Sequence, residues 1–114
     1  MENIEINIIN VKDGKMMQVN TETGSVDVAQ SNGDDNQKWT YKPSCEGDVT
    51  LTNVGTSMIF NWTYDGQKKT LTNNDGLSAV SWKTSFNWEA IRYLVDSPAS
   101  PWNRFQWNIK RAEQ

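Results

Sequence analysis

The chain is 114 residues with a mean hydropathy of −0.73, one domain's length and too little for a catalytic domain beside a separate binding domain. It contains no His and a single Cys, Cys45, which excludes serine-type triads, Cys-His pairs, most zinc sites and an intramolecular disulfide. A formal charge of −3 argues against nucleic acid and anionic membrane as partners, because neither is attracted to an acidic surface.

The first residues, Met1-Glu2-Asn3-Ile4-Glu5-Ile6, carry acids where a secretory leader would be basic. No apolar run reaches the length of a leader core or a membrane span. The expectation is a soluble cytoplasmic chain, with secretion left open; the sequon Asn61-Trp62-Thr63 has meaning only in a eukaryotic secretory setting. Six Trp, three Phe and three Tyr supply most of the apolar surface that can be buried. The 13 Asn and ten Thr favour turns and strands over helices.

In chain order, Ile4, Ile6 and Ile8 alternate with Glu5 and Asn7 and predict a first strand with one apolar face. Lys12-Asp13-Gly14-Lys15 is a tight turn, and Met16 to Val19 reads as a second strand. Thr21-Glu22-Thr23-Gly24 turns into a third, Ser25 to Val28. The polar run Ser31 to Asn36 is a loop, and Gln37 to Tyr41 follows as a fourth strand. Turn signals every eight to twelve residues predict a β-sandwich or barrel.

The chain resembles itself. A shift of 43 places Asn10-Val11 on Asn53-Val54, Ile8 on Leu51, Met16-Met17 on Ile59-Phe60, Gly33 on Gly76 and Trp39 on Trp82. A competing frame places Gln37-Lys38-Trp39-Thr40 on Phe86-Asn87-Trp88-Glu89. Either frame ends a second unit in the eighties, and Asn103 to Ile109 repeats the terminal motif. One such unit cannot bury its own apolar face, so copies must share a core.

Asn36-Gln37-Lys38-Trp39 and Phe105-Gln106-Trp107 resemble the Q-x-W signature of the ricin B-type lectins, with the second spacing shortened. Residues 8 to 39 resemble one lobe of that family, and 48 to 91 a second. The resemblance implies an all-β fold, a β-trefoil-like barrel of pseudo-threefold repeats, in which the Trp of each motif belongs to the core. Lobes of about 1–43, 44–88 and 89–114 follow. Residues after Glu89 are too few for a full lobe, so the third repeat is expected to lack most of its hairpin. On one reading it keeps two barrel strands, Ala90 to Val95 and Arg104 to Lys110; on the other the chain is a different small β-fold with two trefoil-like units, or is truncated.

The resemblance implies a sugar site built from an acid or amide, an aromatic, and the Asn-Gln ahead of the last Trp. In the first lobe these are Gln18, Asp27, Asn36 and Gln37, whose amides and carboxylates match vicinal hydroxyls. The aromatic platform is missing there, since Val26 to Ala29 occupies its place. In the second lobe Asn61, Trp62, Tyr64, Asp65 and Trp82 make a stacking and hydroxyl-binding set, with Trp62 a candidate surface residue. Asn73, Asn74 and Asp75 stand beside them. Trp102 and Asn103 follow two prolines and suit a protein contact.

The expected function is a non-catalytic carbohydrate-binding module for galactose-type or N-acetylated sugars, with no cofactor or metal and with homo-oligomerisation as a route to avidity. The alternative is a protein-interaction module, such as a trefoil protease inhibitor or toxin-associated subunit working through its loops. Adjacent carboxylates such as Asp34-Asp35 do not span a scissile glycosidic bond, which disfavours an enzyme.

Overall fold

A computed structural model describes residues 4–43, 48–82, 85–90 and 102–112. Among these residues ten strands run in the order β1 (Glu5–Asn10), β2 (Met16–Val19), β3 (Val26–Ala29), β4 (Trp39–Pro43), β5 (Asp48–Asn53), β6 (Ile59–Asp65), β7 (Thr70–Thr72), β8 (Ser78–Trp82), β9 (Ser85–Glu89) and β10 (Trp107–Arg111). Short 3₁₀ turns, Asp35–Gln37 and Trp102–Phe105, precede β4 and β10. The fold is all-β, as the alternation in the sequence predicts. β1 shows the reason plainly: Ile6 and Ile8 point into the core while Glu5 faces solvent, the period-two burial of a half-covered strand.

Every strand pairing is antiparallel. The sheet runs β3-β2-β1-β4-β5-β6-β7-β8-β9, with β10 on the other edge of β1. No ladder among the described residues closes it into a barrel. Among the described residues the remaining side is spanned by one backbone hydrogen bond, from Trp107 N–H to Lys69 O at 2.7 Å, and by Gln106 Nε2 donating to Lys68 O at 3.2 Å. Tyr64 reinforces it, its Oη donating to Trp107 O at 2.8 Å.

The registers reveal the repeat. Trp39 faces Asn53 across β4 and β5, and Trp107 faces Asn10 across β10 and β1. Continuing the β6–β7 ladder one step beyond Thr63 and Thr72 sets Trp62 opposite Asn73. A second set of contacts agrees: Ile6 pairs with Trp39, Val49 with Trp62, and Lys69 O accepts from Trp107 N–H. Each partner lies four residues before the corresponding Asn. Each Asn also organises the turn that follows, its Oδ1 accepting backbone N–H groups of Lys12 and Asp13, of Thr56, or of Asp75 and Leu77. These are Asx turns that nucleate the bend locally.

Trp39 and Trp107 each receive a cap. Their indole N–H groups donate to Met17 O at 3.1 Å and to Ala79 O at 3.0 Å, which makes the hairpins β2–β3 and β8–β9 equivalent. Between Asn53 and Trp62 there is no room for such a hairpin, and β6 runs straight from the turn through Trp62. The strands therefore group as 5–43, 48–65 and 70–111, with the middle group short. The sequence-based boundaries at 44–88 and 89–114 put the deficit at the end. They differ because a fixed shift of 43 carries Asn10 correctly onto Asn53 and then runs on through a hairpin that the middle group lacks.

Trp62 accordingly occupies the anchor position that the sequence reading gave to Trp82 or Trp88. It is 7 % exposed and belongs to the core with Ile8, Met17, Val19, Trp39, Leu51, Leu71 and Trp107. Of the two barrel strands expected at the end, Ala90 lies outside any strand and 91–95 lie outside the described residues. Arg104 and Phe105 belong to a 3₁₀ turn, with β10 starting at Trp107.

Candidate functional site

The hairpin β2–β3 pairs Gln18 with Asp27, so the two side chains stand together on one face. Gln18 Nε2 donates to Asp27 Oδ1 at 2.9 Å. Asn20, which the sequence reading passed over, donates from Nδ2 to Asp27 Oδ2 at 3.0 Å. The 3₁₀ turn brings up the other two predicted residues. Gln37, 1 % exposed, donates to Gln18 Oε1 at 3.1 Å and Gln30 O at 2.8 Å, and its Oε1 accepts from Asn32 N–H at 3.0 Å. Asn36 Nδ2 donates to Val19 O at 3.0 Å.

Gln18, Asp27, Asn36 and Gln37 are thus brought together. Gln37 is consumed as a strut tying the 30–38 loop to β2. Asp27 accepts one bond on each oxygen and keeps lone pairs in reserve, since an ionised carboxylate has about four acceptor sites. The neighbouring unit braces this turn: Asn53 Nδ2 donates to Asn36 O at 2.9 Å and Gly55 N–H to Asp35 O at 3.0 Å. A Cβ on Gly55 would sit 2.7 Å from Asn36 N, so only glycine permits this approach.

The second predicted set is dispersed. Trp62 points into the core, and Asn61 lies exposed on the opposite face of β6, accepting from Thr50 Oγ1 at 2.9 Å. Tyr64 is committed to Trp107; partial burial above all, then the charges of Tyr41 and Asp65, raises its phenol above the ordinary tyrosine value. Asp65 opens the next turn, accepting from Gln67 and Lys68 N–H groups at 2.9 and 3.1 Å. The Lys68 bond above all holds its carboxyl below the usual range. Trp82 lies away from these on β8, its indole bonded to Glu89 and Arg104 over its ring at 5.6 Å.

Trp102 packs on Phe105 with ring centroids 6.3 Å apart, and Asn103 is exposed. Asp96 to Pro101 lie outside the described residues. Trp102 and Asp65, from different predicted sets, line one cavity of about 450 Å³ with Thr70, Thr72 and Ser78. It has a pseudo-equivalent of about 400 Å³, where Asn7, Ile9 and Met16 take the places of those three and Lys110 that of Asp65.

Phe60, Trp62, Phe86 and Trp88 line a further cavity of about 500 Å³. Its rings touch in series, with centroids 4.8 Å apart for Phe60–Trp62, 4.9 Å for Trp62–Trp88 and 5.3 Å for Phe86–Trp88. Sequence reading saw Trp88 only as an end-of-unit anchor.

Three equivalent Trp–Asn registers, two of them capped by hairpins, define a β-trefoil architecture with one cap missing. The chain belongs to the family of ricin-type β-trefoil lectin domain-like proteins, whose profile matches residues 2–75. No curated protein sequence matches it. Among solved structures it is similar to ThreeFoil, a designed threefold-symmetric protein, with TM-score 0.74 and 12% identity over 93% of this chain and 97% of that one. It is also similar to SeviL bound to the asialo-GM1 saccharide, with TM-score 0.71 and 12% identity over 98% and 100%. For the Rhizoctonia solani agglutinin the TM-score is 0.70 and the identity 16%, over 97% and 96%. At these identities the likeness is one of fold.

Proposed function

We propose that the protein is a non-catalytic carbohydrate-binding module whose first site is the amide and carboxylate cluster of the β2–β3 hairpin. The observation that carries this reading is the convergence of Gln18, Asp27 and Asn36 on one face, with Asp27 retaining free acceptor capacity. Membership of a lectin-like family and the saccharide-bound SeviL relative support it. Asp27 accepts from a sugar hydroxyl, and the amides of Gln18 and Asn36 set the orientation of its neighbour. Ala29 stands on β3 where a stacking ring is absent, so affinity rests on hydrogen bonds that also exist to water. A dissociation constant of about a millimolar, roughly 4 kcal/mol, follows.

Galactose-type and N-acetylated sugars are the classes to test. Titration of methyl β-D-galactopyranoside and N-acetyl-D-glucosamine, followed by ¹H–¹⁵N NMR, is expected to shift the Gln18 and Asn36 side-chain amides saturably with at least one sugar. Asp27→Ala should abolish that shift. Unchanged spectra with both sugars would reject the reading.

A further inference from the structure

The missing cap leaves a space that the other described residues do not fill. In the first and last groups, a hairpin covers the anchor Trp. In the middle group nothing follows Asn53 but a tight turn and β6, and the two surviving hairpins meet across the gap through β3 and β9. Beneath them lies the aromatic cavity, walled by Gly24 and Ser25 at the β2–β3 hairpin tip and by Phe86, Asn87 and Trp88 of β9. Phe60, Phe86 and Trp88 are half-buried against the core, each keeping a face toward this space.

The gap also frees a donor. Asn10 Nδ2 donates to Arg104 O at 2.9 Å, and Asn53 Nδ2 to Asn36 O at 2.9 Å; each acceptor lies three residues before the anchor Trp. For Asn73 the corresponding residue is Ile59, which is held in the β5–β6 ladder opposite Thr52 rather than in a 3₁₀ turn. Asn73 Oδ1 is engaged by Asp75 and Leu77, while its Nδ2 has no hydrogen-bond partner among the described residues and the residue lines the cavity.

We propose that this cavity is a second sugar site, taking the apolar face of a neutral pyranose against the Trp88 and Phe60 rings with a ring hydroxyl on Asn73 Nδ2. The inference rests on the carbohydrate-binding reading above but uses none of its residues. Among the described residues no charged side chain lines the cavity, so an ionic ligand finds no partner in this lining, whereas a neutral sugar presents one apolar face and a ring of hydroxyl groups. Indole and phenyl faces complement the first, and the free amide donor the second. The volume lies within the range of small-ligand pockets. A second copy of the chain is a poorer occupant: nine of the described residues line the cavity, where a stable dimer engages roughly 20–30 a side.

The test uses the full chain and the same two sugars, with the Trp88 indole N–H and Asn73 side-chain amide as reporters. Saturable shifts of both are expected. Ser25→Trp, placed at an exposed tip whose backbone bonds survive the change, should weaken them at least tenfold while leaving the Gln18 and Asn36 shifts intact. Trp88→Ala should have the same selectivity. Shifts confined to the Gln18–Asp27 hairpin would overturn this site and leave the first one standing, whereas no shift anywhere would overturn both. Shifts of Trp88 that follow protein concentration without sugar would mark the face as a self-contact and overturn the proposal.

Discussion

The first and middle groups of strands solve the same packing problem with different amounts of chain. Both open on an Asn that organises an Asx turn, Asn10 or Asn53, and end on a Trp set opposite the next group's Asn. The first then adds β2–β3, which caps Trp39 through Met17 O and carries the Gln18–Asp27 pair. The middle group omits this hairpin and covers Trp62 with rings instead: Phe60 on its own strand and Trp88 from β9. The hairpin is therefore dispensable for the Trp–Asn register, and between these two groups its presence or absence decides what kind of surface is offered. With it the surface is polar and hydrogen-bonding; without it, aromatic.

Removing each anchor in turn is the strongest way to break this comparison. Trp39 is fully buried and its indole is hydrogen-bonded, whereas Trp62 is 7 % exposed with no indole hydrogen bond among the described residues. Trp→Ala at a buried site costs about 3–5 kcal/mol. We expect Trp39→Ala near the top of that range, since Met17 O also loses its partner, and Trp62→Ala near the bottom. Urea denaturation of the two variants measures the difference. Equal losses would mean that the missing hairpin leaves no energetic trace at its anchor.

Gly55→Ala sharpens the comparison from the other side. The middle group contributes Gly55 to the first group's site, and a Cβ there meets Asn36 backbone atoms at 2.7 and 2.9 Å. Those atoms belong to the 3₁₀ turn and cannot swing aside as a side-chain end would, so a loss of about 1–3 kcal/mol is expected. Displacement of the turn should also weaken sugar-induced shifts at Asn36. If denaturation shows the loss but sugar shifts at Asn36 are unchanged, the brace is structural only.

Much of this architecture was legible in the residues. The alternation of Ile4, Ile6 and Ile8, the Asx turns and the Q-x-W-like motif give an all-β trefoil-like chain. They also bring together Gln18, Asp27, Asn36 and Gln37. The position of the short group was legible as well, in a signal that a fixed shift cannot see. Thr50-Leu51-Thr52-Asn53 recurs as Thr70-Leu71-Thr72-Asn73, and Trp39-Thr40-Tyr41 as Trp62-Thr63-Tyr64. Their unequal spacings mark where a hairpin has been dropped. Other features had no local signature. The Gly55–Asn36 approach, the Arg104 bracket of Ser81 O at 3.1 Å and Asp13 at 3.6 Å, and the cavity under β9 all join residues far apart in the chain. They appear only when the registers bring those residues side by side.

The smallest effect tests the closing contact between the middle and last groups. Tyr64 Oη donates to Trp107 O beside the Trp107–Lys69 bond, and a phenolate cannot donate. Its folded pKa is raised above the ordinary value near 10, so the native state holds the proton more tightly than the unfolded chain. The stabilising contribution is therefore complete below pH 10 and lost as pH rises through the folded pKa. Tyr64→Phe removes one hydrogen bond, and about 1 kcal/mol of stability at neutral pH is the expected loss. The variant should lose less further stability than wild type over the window in which pH rises from 10 through the folded pKa. Thermal melts across that window measure both quantities. Parallel decline of the two proteins would assign the alkaline sensitivity to a group other than Tyr64.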